Sequence, residues 1–264
     1  MTTAFKRTYD GDEPQRINKW LAQAGVCSRR EAEALIDAGR ITIDGETVTD
    51  MGRKIERGQT LELIEKHGGP GAYERFSVIL HKPVGVVSGQ PDPGQIPAVR
   101  LLSRKALIGE APMIPDEKFS LPPLGRLDKD SRGLLLLSND GVLAKAVIGP
   151  TSEIDKEYLV RVEGRVDAAK LALLRHGLSL DGRELRPAKV TLARDDVLRF
   201  VLTEGRYRQI RRMCELVDLT VIDLFRTRVG PIKLGDLPEL RWRMITPQER
   251  EDLIAASNGR DVGR

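Results

Sequence analysis

Residues 123–141 read PLGRLDKDSRGLLLLSNDG. Two aspartates, Asp128 and Asp130, stand in a short polar loop just ahead of four consecutive leucines, Leu134 to Leu137. An unbroken apolar run of this length, bounded by turn residues, fits a strand buried on both faces. A loop beside such a strand is held firmly, which suits a functional group. Aspartate is equally at home in turns, where its carboxylate bonds nearby backbone amides. On this segment alone two readings of Asp128 and Asp130 stand, a catalytic carboxylate or ordinary turn residues.

Outward from the loop, the pattern predicts a strand at 134–138 and a helix near 142–148. DKEYLVRVEG then reads as a strand, DAAKLALLRHG as a helix, and AKVTLAR with VLRFVLTEG as two pairing strands. RQIRRMCELV reads as a helix and IDLFRTRVG as a returning strand. Upstream, FSVILHKPVGVVS is a strand broken at Lys82-Pro83, and residues 89–123, rich in proline and without period, form an irregular insertion. Strands and helices in this order predict an α+β fold for the larger part, spanning 75–250. A short helix after Pro247 is expected to fade into a flexible tail over 251–264.

The N-terminal third carries a different pattern. Residues 1–14 lack a period and are expected as a flexible arm. In residues 15–65, Ile17, Trp20, Leu21 and Ala24 make one helical stripe closed by Gly25. Ser28 with Glu31 has the spacing of a capping box, and Ala32, Leu35 and Ile36 give the inner face of a second helix stopped at Gly39. ITIDGETV alternates about Asp44-Gly45, a tight hairpin signal, and TLELIE follows as a strand. KHGGPGAYER interrupts all periodicity, so residues 66–74 are expected as a linker.

A chain of 264 residues with 40% hydrophobic content can bury a core, and its sequence pI is near 9.1 with a net charge of only +4. The positive residues cluster around 16–54 and 204–228, which points to a polyanionic partner. Cys27 and Cys214 are too few for a disulfide framework and read as reduced core thiols. The three histidines lack ligand spacing, so no metal is expected. No signal peptide and no membrane-spanning run is recognisable, and a soluble cytoplasmic monomer with no membrane association is the expectation.

In the first cluster, Arg16, Lys19, Arg29, Arg30 and Arg40 decorate two short helices. They fit either a grip on a phosphate backbone or a solvated charged face. In the second, Arg208, Arg211, Arg212 and Glu215 recur at helical spacing, displaced from apolar Ile210, Met213, Cys214 and Val217. Those arginines, with Arg206, could neutralise RNA phosphates, pair with a catalytic carboxylate, or be solvated.

RINKWLAQAGVCSRREAEALIDAGRITIDGETV resembles the S-four (S4) RNA-binding domain, a small α/β unit in which a helix pair and a β-turn dock RNA. The resemblance implies phosphate contacts for Arg29, Arg30 and Arg40. GRLDKDSRGLLLLSNDG, DKEYLV and EGRYRQIRRM, in that order, resemble the motifs of the RsuA/RluB/RluE/RluF family of ribosomal RNA pseudouridine synthases, nearest its RluF-like large-subunit branch. The resemblance implies a catalytic domain with a mixed, mainly antiparallel sheet flanked by helices, and a uridine of ribosomal RNA, most naturally 23S, as substrate. A precursor ribosomal particle, 16S RNA or a tRNA are further partners it allows, and a non-catalytic ribosome-associated RNA binder is the competing class. By resemblance, Asp128 is the catalytic aspartate and Asp130 a turn-forming neighbour. Tyr158 then stacks on the target base, Arg211 pairs with the aspartate, and Arg126 helps fill the space left by a flipped nucleotide. Leu127 and Leu134 would add apolar lining. The reaction involves no net redox change and acquires no group, so no cofactor is expected; the sequence shows no phosphate loop or dinucleotide fingerprint.

Overall fold

A computed structural model of the chain describes residues 2–24, 26, 27, 29–65, 75–116, 119 and 121–257. It comprises two compact units, Met1–Arg75 with Asp140–Val142, and Phe76–Asn139 with Leu143–Arg264.

The first unit runs β1 (Thr2–Thr8), β2 (Gln15–Arg16), α1 (Ile17–Gln23), α2 (Arg29–Asp37), β3 (Ile41–Ile43), β4 (Glu46–Thr47), β5 (Lys54–Ile55) and β6 (Thr60–Glu65). Its sheet has the order β1-β6-β3-β4, and β2 pairs with β5. Ile17, Trp20 and Leu21 of α1 and Ala32 and Ile36 of α2 bury their expected faces against Ile41, Ile43 and Leu61. Asp44 and Gly45 both take left-handed backbone (φ 51° and 88°), as a two-residue hairpin with the native strand twist requires. The expected helix stop at Gly25, the Ser28 cap and the 66–74 linker lie outside the described residues.

The N-terminus corrects the expected 1–14 arm. Thr2 to Thr8 pair antiparallel with Glu65 to Thr60, and Tyr9 is buried edge-on to the Trp20 ring at 5.4 Å. Its hydroxyl donates to the Glu13 carbonyl at 2.6 Å. Burial of an aromatic with its polar tip satisfied holds this segment to the core.

The second unit is built on one sheet. Its strands are β7 (Ser77–Lys82), β8 (Arg132–Ser138), β9 (Lys156–Glu163), the hairpin β10 (Ser179–Leu180) and β11 (Arg183–Glu184), β12 (Lys189–Arg194), β13 (Val197–Leu202), β14 (Thr220–Val229), β15 (Ile232–Lys233) and β16 (Trp242–Met244). The sheet order is β12-β13-β9-β14-β8-β7-β16, with β15 off β14 and the β10–β11 hairpin separate. Only β8 with β14 is parallel, so the sheet is mixed and mainly antiparallel. Helices α3 (Gly141–Ile148), α4 (Ala168–Arg175), α5 (Gln209–Glu215) and α6 (Pro247–Ser257) complete the unit.

The leucine run behaves as its composition predicts. Leu135 and Leu137 pack with Phe76, Val78, Leu80 and Trp242 on one face of the sheet. Leu134 and Leu136 pack with Ile79, Leu143 and Val147 on the other, following the two-residue period of a strand. The described residues of 89–123 are irregular apart from two short 3₁₀ turns, Ala98–Leu101 and Arg104–Ala106, and they cover the Leu135 face with Ala98, Leu102 and Leu121. The expected 251–264 tail is corrected through Ser257: α6 continues across it because Leu253 is fully buried beside Ile154 and Val229. Among the described residues, no helix is long and apolar enough to cross a membrane.

Candidate active site

The site begins where β14 meets β8. Gly133 has φ 110°, and a Cβ there would fall 2.3 Å from the Arg226 carbonyl oxygen and 2.8 Å from its amide nitrogen. Only glycine permits this parallel contact. The contact fixes Arg226, whose side chain is 1% exposed. Its Nε donates to Leu134 O at 2.7 Å, Nη2 to Gly125 O at 3.0 Å and Nη1 to Arg126 O at 3.4 Å.

These bonds begin a complete anchoring of the aspartate loop. The Leu127 carbonyl accepts from Ser88 Oγ at 2.6 Å, and the Leu127 amide donates back to Ser88 Oγ at 2.8 Å. Asp128 O accepts from Ser131 N, and Lys129 O from Gly85 N at 2.7 Å. Asp130 O accepts from Arg211 Nη2 at 2.8 Å. Every carbonyl from Gly125 to Asp130 therefore has a partner, and the loop is fixed by bonds from five separate residues.

The two aspartates differ in what holds them. Asp130 receives Arg208 at both carboxylate oxygens, at 3.2 and 3.0 Å, and Arg211 at 3.3 Å. Burial raises its pKa, but the Arg208 hydrogen bond and the two guanidinium charges bring the net value below the ordinary aspartate range. Arg208 rises correspondingly, chiefly through its bond to Asp130. Asp130 is thus an ion-pair anchor, where a turn former was expected. Asp128 keeps a partly exposed carboxylate, with Arg208 as its near cation at 3.8 Å. Arg211, expected to pair with Asp128, is instead bonded to Asp130 and to the Val221 carbonyl at 3.3 Å. The reason is local: α5 starts at Gln209, and Arg208 precedes it in left-handed backbone (φ 49°), off the helical stripe shared by Arg211 and Arg212.

Asp128 lines a cavity of about 390 Å³, within the size range that takes a small ligand. Tyr158, on β9, lines it as well, and the Arg226 guanidinium carbon lies 6.0 Å from its ring centroid. Leu127 lines the cavity; Leu134 does not, because its side chain belongs to the opposite, α3-covered face of the sheet. Seven basic side chains line the cavity (Arg126, Lys156, Arg186, Arg206, Arg208, Arg211, Arg226) against two carboxylates, Asp128 and Glu204. Such a cavity favours a polyanion.

Sequence reasoning missed Arg226, Ser88, Lys82 and Lys156. Lys82 is fully buried with Nζ donating to Pro83 O and Val86 O at 2.8 and 2.7 Å. Lys156 donates to Ile154 O at 2.8 Å from the cavity wall. Burial first, then the Arg226 charge, pulls both amines down to about 8. The Lys-Pro and Asp-Lys-Glu-Tyr contexts were visible, but neither lysine carried a signal of burial.

The expected RNA contacts divide. Arg126 is exposed on the cavity wall. Arg206 lines the cavity but spends its guanidinium on the carbonyls of Leu180, Arg183 and Glu184, bracing the β10–β11 hairpin. Arg212 is outside the lining, paired with Asp181 at 2.6 Å. In the first unit Arg16, Lys19 and Arg29 are exposed, Arg40 is half-buried with Nε donating to Ile64 O, and the Arg30 side chain lies outside the described residues. Cys27 and Cys214 are buried, and burial pushes both thiols up to about 12.

A model of the family described as RNA pseudouridylate synthase matches residues 77–216, and one of the S4 domain matches residues 15–61. The chain is 35% identical over 260 residues to the ribosomal large subunit pseudouridine synthase B of Bacillus subtilis (strain 168), covering 94% of this chain and 99% of that one. It is 35% identical over 249 residues to an uncharacterized RNA pseudouridine synthase of Aquifex aeolicus (strain VF5), covering 91% and 94%. With the dual-specificity RNA pseudouridine synthase RluF of Escherichia coli (strain K12) it shares 32% identity over 244 residues, covering 92% and 79%. A crystal structure of a pseudouridylate synthase superposes with a TM-score of 0.61 at 25% identity, over 90% of this chain and 99% of that one.

Proposed function

Because this chain belongs to the RNA pseudouridine synthase family, we propose that it isomerises one uridine of 23S ribosomal RNA, with Asp128 as the group that acts on the ribose. The observation that carries the assignment is the contrast between the two aspartates. Asp130 is consumed in holding Arg208 and Arg211, whereas Asp128 presents its carboxylate to the cavity from a loop with every carbonyl bonded. The name of the Bacillus relative, a ribosomal large subunit enzyme, supports the choice of RNA.

In the reaction the bond from uracil N1 to ribose C1′ breaks and one from C5 to C1′ forms, while a proton leaves C5 and one is gained at N1. Substrate and product are isomers, so the atoms balance without a co-reactant. An ionised carboxylate beside the sugar serves as nucleophile or as base. Arg208, whose Nη1 lies 3.8 Å from Asp128 Oδ2, places a positive charge beside that carboxylate. A uridine in folded RNA has to be extruded, at a cost of a few kcal/mol. Stacking on the Tyr158 ring would return about 1–3 kcal/mol. The remainder comes from phosphate contacts: Arg126 at the cavity, and Arg16, Lys19 and Arg29 in the S4 unit.

The test uses ribosomal RNA from cells lacking the gene. Purified protein is expected to introduce pseudouridine at one position of 23S RNA, mapped by chemical modification and primer extension. Asp128→Asn should form none while binding the same RNA within a few-fold of wild type. Turnover by Asp128→Asn removes the catalytic assignment, and a product only in 16S RNA or tRNA removes the choice of substrate.

A further inference from the structure

One aromatic side chain at the cavity stands largely exposed. Tyr207 is 73% exposed, the highest value among the exposed large hydrophobic side chains of the described residues. It nonetheless lines the same cavity as Asp128 and Tyr158. An exposed tyrosine on a loose loop would mean little. This loop is not loose. The Arg206 amide donates to Gln209 Oε1 at 2.9 Å, and Gln209 Nε2 donates to Glu204 Oε1 at 3.0 Å. The Arg206 guanidinium is fastened to three carbonyls of the β10–β11 hairpin. On the other side Arg208 is pinned by Asp130 in left-handed backbone, a conformation unfavourable for a residue with a side chain. Tyr207 therefore sits on backbone held at both sides by anchored arginines, with most of its ring uncovered by protein.

A second exposed apolar side chain, Ile148 at the end of α3, also lines this cavity and is 49% exposed. A wall that combines exposed apolar surface with the seven basic groups fits a ligand of flat bases on an anionic backbone. Tyr158, half-buried on β9, is already assigned to the extruded uracil.

From this geometry we infer that Tyr207 is a positioning residue, a stacking platform for the base of the nucleotide adjacent to the target uridine. The inference rests on the proposed reaction and adds to it a second base-binding place. Stacking on the flanking base keeps the strand in register while the uridine is swung out, so Tyr207 helps select which uridine enters.

The experiment is a double-replacement cycle on a transcript carrying the uridine mapped above. Equilibrium binding is measured for wild type, Tyr207→Phe and Tyr207→Ala, each with the intact transcript and with transcripts abasic at the nucleotide on either side of the target. The expectation is that Tyr207→Ala raises Kd by roughly 5- to 150-fold, the range of one base–aromatic stack, while Tyr207→Phe, which keeps the aromatic face, stays within about threefold. At one flanking position the abasic transcript should lose a similar factor with wild type and little more with Tyr207→Ala. Losses that simply multiply at both positions overturn the inference, as does a Phe variant as weak as Ala. If wild type forms no pseudouridine in ribosomal RNA, the proposed reaction itself fails; if it does and the cycle shows no coupling, only the role of Tyr207 fails.

Discussion

In the S4 unit, Arg16 just ahead of α1, Lys19 on α1 and Arg29 at the start of α2 stand exposed over a mainly apolar core. Around the cavity of the larger unit, Arg206, Arg208, Arg211 and Arg226 are each bonded to carbonyls or to Asp130. The two clusters look alike as sequence, yet one leaves its charge to solvent and the other spends it on architecture. The difference follows from what lies nearby. A loop displaying Asp128 exposes a row of carbonyls that no helix or strand satisfies, and guanidinium groups, with several donors in a fixed fork, are suited to them. The cavity is positive because it is braced by arginines, and the same charge that braces it attracts RNA.

If bracing is the task of the cavity arginines, removing one should damage the fold before it damages binding. Arg226→Met is expected to cost about 3 kcal/mol or more, because three carbonyls, one on β8 and two in the aspartate loop, lose their donor. Gly133→Ala should cost a similar amount, since its Cβ would meet the Arg226 backbone at 2.3 Å. Urea denaturation checks both; midpoints near wild type would break the comparison. Next in size is Asp130→Asn, which weakens the hold on Arg208 and Arg211. Because the Asp130 side chain is 46% exposed, solvent screens its ion pairs to about 1 kcal/mol each at most, and the single-turnover rate should fall roughly 5- to 30-fold. A wild-type rate would show that Asp130 is only a turn residue. The same pair gives a pH dependence. Because the folded pKa of Asp130 is depressed, its stabilisation is present above the unfolded value and is lost as pH falls through the folded one, below the ordinary aspartate range. Acid denaturation of wild type should show this loss, and Asp130→Asn should lack it.

How much of this could be seen in advance depended on how far apart the partners lie in the chain. The leucine strand and the Asp44-Gly45 hairpin were legible because burial on both faces and paired positive φ leave local signatures. So was the apolar stripe of Ile17, Trp20 and Leu21. β1 was not, because Thr2 pairs with Glu65 and nothing within residues 1–14 announces that partner. Asp128, Tyr158 and Arg211 all line one cavity, but the pairing of Arg211 was misplaced. Helical spacing put Arg208 on the stripe of Arg211, whereas the helix begins one residue later and Arg208 turns left-handed to reach both aspartates. Arg226 read as one more strand residue; its role depends on the β8–β14 register, which Gly133 controls.

Smaller effects separate charge that is buried from charge that is free. Lys156 has its pKa lowered by burial to about 8, below the value of 10.5 expected when unfolded. Between those values the unfolded chain holds a proton that the folded chain has released, so stability should rise with pH there. Lys156→Met should flatten part of that rise in a denaturation series from pH 7 to 10. The least perturbing changes belong to the S4 unit. Arg29→Gln should leave the denaturation midpoint in place and reduce the slope of log affinity against log salt by about 1, the signature of a single lost phosphate contact.

The most direct test of the central claim is a pseudouridine map of total ribosomal RNA from cells whose only copy of the gene is wild type or Asp128→Asn. One 23S position should be modified with wild type and unmodified with Asp128→Asn, at equal protein levels. Identical maps from the two strains, with that position still modified, would contradict the claim.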